Sequence, residues 1–171
     1  GVSGAVRAEP KWNLEDATAG DVYDNGVFYP RSQTRIAEIT DGTSNTLALG
    51  ERVYILLGWM IGATKVGSDP PQQIFCYATK NVLFPINADR NTFGYWIGDP
   101  DLPENAPLCA QGVDVDRCML LNHLFFGSEH PGGAQFAFAD GRVLFLPESI
   151  DITVYQDLAT KDGDEIIQRQ D

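Results

Sequence analysis

Apolar and small or polar residues alternate most regularly near the C-terminus. Ala134-Gln135-Phe136-Ala137-Phe138-Ala139 alternates, Asp140-Gly141 follows, and Arg142-Val143-Leu144-Phe145-Leu146-Pro147 resumes the apolar run. A period of two sends successive side chains to opposite faces of a strand. Two such runs around Asp-Gly predict a hairpin closed by a two-residue type I′ turn, with φ > 0 at both turn positions. That register pairs Ala139 with Arg142, Phe138 with Val143, Ala137 with Leu144 and Phe136 with Phe145. Phe136, Phe138, Val143 and Phe145 then share one face, and Gln135, Ala137, Arg142, Leu144 and Leu146 the other. Both faces are largely apolar, so each needs a cover.

After Pro147 the apolar period lengthens. Ile152, Tyr155, Leu158 and Ala159 fall on one helical stripe, Ser149 or Asp151 supplies an N-cap, and Gly163 stands where a C′ glycine would. The predicted helix runs about three turns. Upstream, residues 1–26 are polar and aperiodic and read as loop or crossing segment. Val27-Phe28-Tyr29 is a short strand stopped by Pro30. Residues 34–39 predict a single helical turn capped by Ser32 or Thr34. Asp41-Gly42-Thr43-Ser44-Asn45 is a cluster of turn formers whose side chains bond readily to nearby backbone N–H groups. Thr46–Leu49 then leads through Gly50-Glu51 into the apolar strand 53–57. Residues 64–73 predict a loop, 74–84 a further strand around Ile74–Tyr77, and 85–116 an irregular Pro-rich stretch of the kind that carries a binding or assembly surface.

Length and charge narrow the picture. The chain of 171 residues fits a single domain over residues 1–171, long enough for a sizeable core. Lys plus Arg is 12 against 24 Asp plus Glu, a formal charge of −12. That sign excludes phosphate-driven binding of DNA, RNA or anionic lipid. With 17 Gly and 10 Pro, the composition favours a turn-rich β fold over a helix bundle. The longest apolar run, 53–63, contains two glycines and is too short to span a bilayer.

Candidate chemistry is sparse. Cys109, Cys118, His123 and His130 form a Cys/His set, but its C-x8-C and H-x6-H spacings miss those of structural zinc sites. Cys76, Cys109 and Cys118 are core thiols in a reducing compartment; in an oxidising one Cys109 and Cys118 can close a short loop, and spacing leaves both states open. Gly127-Ser128-Glu129-His130 is not a G-x-S-x-G elbow, and an Asp–His–Ser set of Asp140, His130 and Ser44 or Ser128 has no motif behind it. His130 and Asp140 flank one predicted strand, which keeps them apart. Asp99, Asp101 and Glu104 in a Pro-rich loop, and Asp162 and Asp164 around Gly163, are calcium candidates, because hard oxygen ligands on a bent loop suit that ion. Solvated acidic loops account for the same residues in so acidic a chain.

Three segments together resemble one family. They are Asp41-Gly42-Thr43-Ser44-Asn45-Thr46 with Gly50-Glu51, then Gly127 to Gly133 around His130-Pro131-Gly132-Gly133, then Phe138-Ala139-Asp140-Gly141-Arg142-Val143. His130 and Asp140-Gly141 make an H-x9-D-G signature. The chain is similar here to the prepilin-like exported proteins with an H-x9-D-G C-terminal motif, a domain of unknown function of planctomycete-type bacteria, sometimes labelled a transporter or solute-binding protein. The likeness covers roughly residues 27–57 and 120–167. It implies a pilin-like α+β fold, an antiparallel sheet with short helices whose long N-terminal helix is missing from this chain. It also implies export to the cell envelope or beyond, membrane attachment only through that missing helix, and self-association or association with other pilin-like subunits. Export favours the Cys109–Cys118 bridge, with Cys76 buried and free. The resemblance carries over no catalytic residue and no cofactor, leaving calcium as the one cofactor under consideration. Asp41, Gly42, Ser44, Asn45, Glu51, His130, Gly132, Gly133, Asp140 and Gly141 are expected to hold turns, and the His130 ring to bond an acceptor at the hairpin base. The expected function is a non-enzymatic structural or assembly subunit; the alternative is an extracellular solute- or glycan-binding module using residues 85–118.

Overall fold

The computed structural model describes residues 1–5, 22–52, 64–66, 74–76, 79–88, 94–95, 118–119 and 121–164. Its strands are β1 (Val2–Ala5), β2 (Leu47–Gly50), β3 (Thr64–Val66), β4 (Ile74–Cys76), β5 (Lys80–Val82), β6 (Gly94–Tyr95), β7 (Cys118–Met119), β8 (Gly133–Phe138) and β9 (Val143–Pro147). One α-helix among the described residues, α1, covers Ile152–Asp157. Four small sheets result: β1–β5 parallel, β3–β4 antiparallel, β6–β7 parallel, and the antiparallel order β2-β8-β9. The fold class is α+β.

The hairpin forms where the alternation predicts, but not in the predicted register. Gln135 pairs with Phe145, Phe136 with Leu144 and Ala137 with Val143, one residue away from the I′ arrangement. The Phe138 N–H donates to the Arg142 carbonyl at 2.8 Å, and the Gly141 N–H to the Phe138 carbonyl at 2.9 Å. These bonds define a three-residue loop, a type I turn followed by a glycine bulge. Gly141 alone in the loop has positive φ, at 88°. A one-residue slip reverses the faces of one strand relative to the other. Ala134, Phe136, Phe138, Arg142, Leu144 and Leu146 therefore share the inner face. Gln135, Ala137, Val143 and Phe145 share the outer one.

The inner face builds the core. Phe136 is fully buried between Phe126 and Tyr155, with edge-on ring contacts at centroid distances of 5.7 and 5.6 Å. Val2, Ala5, Leu47, Val82, Ile86, Leu146 and Leu158 join the same cluster. Burying one such ring stabilises by about 1.5–3 kcal/mol.

Several other segments depart from expectation. Residues 1–26 include a strand, β1, buried along its whole length. Val27–Tyr29 forms no strand; Gly26 and Phe28 instead donate N–H groups to the Ser3 and Val2 carbonyls, both at 3.0 Å. Pro30 and the kink at Arg31, with φ 64°, stop further pairing there. The turn at 34–39 is a 3-10 helix over Ile36–Glu38 entered through Arg35, whose N–H donates to Glu38 at 2.9 Å. Thr34 does not cap it; its hydroxyl donates to the Val27 carbonyl at 3.0 Å. The expected loop at 64–73 contains β3, and the irregular stretch 85–116 contains β6. Helix α1 is six residues, not three turns. Asp151 caps it as predicted, accepting from Thr153 and Val154 at 2.8 and 3.2 Å. Gly163 is not its C′ residue: the helix is capped at Leu158, and the Gly163 N–H goes to Asp41. No helix among the described residues is long and apolar enough to cross a membrane.

Candidate functional site

The motif residues gather at the two ends of strand β8. At one end, the loop 41–46 closes on itself. The Asn45 N–H donates to the Gly42 carbonyl at 2.9 Å, its side-chain amide to the Asp41 carbonyl at 3.0 Å, and the Thr46 hydroxyl to the Gly42 carbonyl at 3.1 Å. Asx and hydroxyl side chains of this kind replace missing ladder partners in a tight loop. Gly42 has φ 93°.

Onto this loop dock two distant segments. The hairpin tip brings the Ala139 and Asp140 N–H groups to the Thr46 and Thr43 carbonyls at 2.9 and 3.0 Å. The Arg142 guanidinium donates to the Ser44 carbonyl and lies over the Phe138 ring, 4.6 Å from its centroid. The tail arrives from the other side. The Leu47 N–H donates to Leu158 at 2.7 Å and the Asp41 N–H to Lys161 at 3.3 Å. The Asp41 carboxylate receives the N–H groups of Gly163 and Asp164 at 2.8 and 3.0 Å. Lys161 extends the seam, with its ammonium on the Asp24 carbonyl at 2.8 Å.

At the opposite end of β8, Glu51 and Asn87 organise the hairpin base. Glu51 clasps Gln135 twice: its N–H donates to the Gln135 carbonyl at 2.9 Å, and its carboxylate accepts the Gln135 N–H at 3.0 Å. Asn87, at φ 54°, accepts the Ser128 N–H at 2.8 Å and donates to Glu148 at 3.1 Å. Glu148 also donates its own N–H to Gly132 at 2.8 Å. Sequence reasoning missed Asn87. Its signal was an asparagine after Pro85-Ile86, a residue type that tolerates positive φ in turns. It missed Asn81 as well, whose buried side-chain oxygen accepts from the Ser3 hydroxyl at 2.7 Å and the Tyr23 N–H at 3.2 Å.

His130 corrects one expectation. It is exposed, and its main-chain N–H donates to the Ser128 hydroxyl oxygen at 2.8 Å, while its ring makes no hydrogen bond among the described residues. It precedes β8 and Asp140 follows it, so the strand separates them. The Asp140 carboxylate accepts the Arg142 N–H at 2.9 Å, and Ser44 is engaged through its carbonyl. The Asp–His–Ser set is thus not brought together.

Among the described residues no three His, Cys, Asp or Glu side chains gather as a metal site. Asp162 and Asp164 lie in the tail that Asp41 holds. Asp99, Asp101, Glu104, Cys109 and most of the 85–118 region fall outside the described residues, as does the 53–57 strand. The side chains of Cys76 and Cys118 are also outside them, so the pairing of the thiols is not part of this structure. Chemically, the two junctions hold backbone; their carboxylates accept N–H groups.

Among the described residues, exposed apolar side chains adjoin on one sheet face, while Leu144 on the inner face is itself 39% exposed. On the outer face of β2-β8-β9, Leu49 is 51% exposed, Val143 58% and Phe145 45%. Leu49 pairs with Ala137 and Ala137 with Val143, so the three side chains adjoin across the sheet.

No curated protein and no solved structure matches the chain. A family model described as a protein of unknown function (DUF1559) matches residues 5–153, which takes in the loop 41–46, the hairpin base and all of the three-stranded sheet. The chain belongs to that family.

Proposed function

We propose that the chain is a non-enzymatic, exported, pilin-like domain that acts as a structural or assembly subunit at the cell surface. The observation that supports it is the outer sheet face of Leu49, Ala137, Val143 and Phe145, apolar and open to solvent. Contiguous exposed apolar surface on a folded domain marks an interaction site. The motif residues agree with this reading, because Asp41, Asn45, Glu51 and Asp140 are spent on backbone hydrogen bonds.

The reading is tested in the native cell with a photocrosslinking residue at Gln135, on the same outer face. Recovery in the cell envelope, with adducts identified by mass as a second copy or another envelope subunit, supports it. Cytoplasmic recovery, or no adduct, overturns it.

A further inference from the structure

Among the described residues, strand β9 is an edge of the three-stranded sheet with no strand beyond it. Its polar backbone groups can be assigned from the ladder. Bonds join Phe138 to Arg142 and Gly132 to Glu148. Bonded pairs alternate with unbonded ones in an antiparallel ladder, so Leu144 and Leu146 face β8 and Val143, Phe145 and Pro147 face outward. Val143 and Phe145 thus present N–H and C=O groups to the open edge, and both have exposed side chains. Native edges are normally blunted by a charge, a bulge or an early proline. From Val143 to Leu146 this edge has none of these, and Pro147 comes only at its end.

We infer that β9 accepts an extended strand from a different chain, with apolar residues at alternate positions and Lys or Arg at its flanks. This rests on the assembly reading above and names the partner of the same sheet. The flanking charge follows from what surrounds the edge. Asp140 lies exposed before it, and Glu148 and Asp151 lie exposed after it. Arg142, the nearest cation in sequence, is turned back onto Ser44 and Phe138. A second copy fits badly. A two-fold antiparallel pairing along β9 brings the hairpin-tip end of one copy, with Asp140, near the Glu148 and Asp151 end of the other, between chains that each carry −12. Like charges gathered at both ends of the seam oppose that pairing. A basic-flanked strand meets the same acids as complements and completes the ladder by main-chain bonds, the usual mode of strand addition.

The test uses a soluble synthetic peptide of about ten residues, alternating valine and threonine with two lysines at each end, titrated into the whole chain. The expected result is a shift of the Val143, Leu144 and Phe145 amide signals, with binding that weakens from about 50 to 300 mM salt. The same peptide with glutamates at its ends should bind at least about tenfold more weakly. Phe145→Pro removes an outward N–H without touching the β8 ladder and should abolish the shift, as should Val143→Lys by charging the edge. Equal binding of both peptides, unchanged binding by both variants, or β9 amides protected by dimer formation without peptide would each overturn the inference. The peptide reads β9 alone, so its failure is distinct from failure of the envelope crosslinking.

Discussion

Gly50 and Gly141 need glycine for different reasons. A Cβ on Gly50 would run into the Phe126 ring and stand 2.7 Å from Phe136. Gly141 has open space around its Cβ position and needs only its positive φ. Gly50→Ala therefore forces apart two rings of the core, and thermal unfolding should show a loss of roughly 1–3 kcal/mol. An unchanged midpoint would mean that the rings move freely. Tyr155 poses the complementary question. It is fully buried, its hydroxyl has no hydrogen-bond partner among the described residues, and burial holds its pKa well above the usual 10. The folded chain thus keeps a proton that the unfolded chain loses above about pH 10. Stability from this group is complete below that pH and falls as pH rises. Tyr155→Phe should leave stability at pH 7 equal or higher, and should flatten the decline between about pH 10 and 11. A loss at pH 7 would reveal a partner for the hydroxyl. The turn-forming character of residues 41–45 was legible because their side chains bond locally. The burial of Asn81 was not, since its partners Ser3 and Tyr23 are distant in sequence.

Elements show how a correct local signal acquires a wrong register. Asp-Gly suits both a two-residue loop and the three-residue loop with a glycine bulge. What separates them is the loop 41–46, nearly a hundred residues upstream in the chain. Ala139 and Asp140 give their N–H groups to Thr46 and Thr43, so Ala139 cannot also close a ladder pair with Arg142. The slip carries Val143 and Phe145 out of the core and brings Leu144 and Leu146 to the inner side. Alternation along β9 could not show this, because both of its faces are apolar. Helix α1 was legible through its cap and its buried Tyr155, while its length was not. The Leu158 carbonyl is taken by Leu47 of β2, and the Ala159 and Thr160 N–H groups close tighter turns on Gln156 and Asp157, so the helix does not extend. A helix this short has little stability of its own and depends on its cap and on core contact. Asp151→Ala should cost about 1 kcal/mol by denaturant melts. It should also speed hydrogen exchange at the Val154 and Tyr155 amides more than in β8. Equal acceleration in both would make the cap a global rather than a helical determinant.

At the scale of the molecule, charge opposes compactness. Acidic residues outnumber basic ones 24 to 12. Asp41, Glu51, Asp140 and Asp151 accept backbone N–H groups, which fixes their positions, and among the described residues none of the four pairs with a cation. The Lys161–Asp162 pair, 3.9 Å apart with Asp162 half exposed, offsets little of this, since exposed pairs contribute about 0–1 kcal/mol. The folded state therefore gathers mutually repelling carboxylates that the unfolded chain spreads apart. Raising salt from about 20 to 300 mM shortens the screening length from roughly 20 to 6 Å and weakens long-range repulsion more than short hydrogen bonds. The melting temperature at pH 7 should rise with sodium chloride over that range, by on the order of 2–4 °C for each kcal/mol of repulsion relieved. Potassium chloride should act alike, because screening depends on ionic strength and not on the ion. A fall in melting temperature with either salt would show that attractive ion pairs outweigh the net charge. A rise with calcium alone, at matched ionic strength, would show that specific cation binding relieves it.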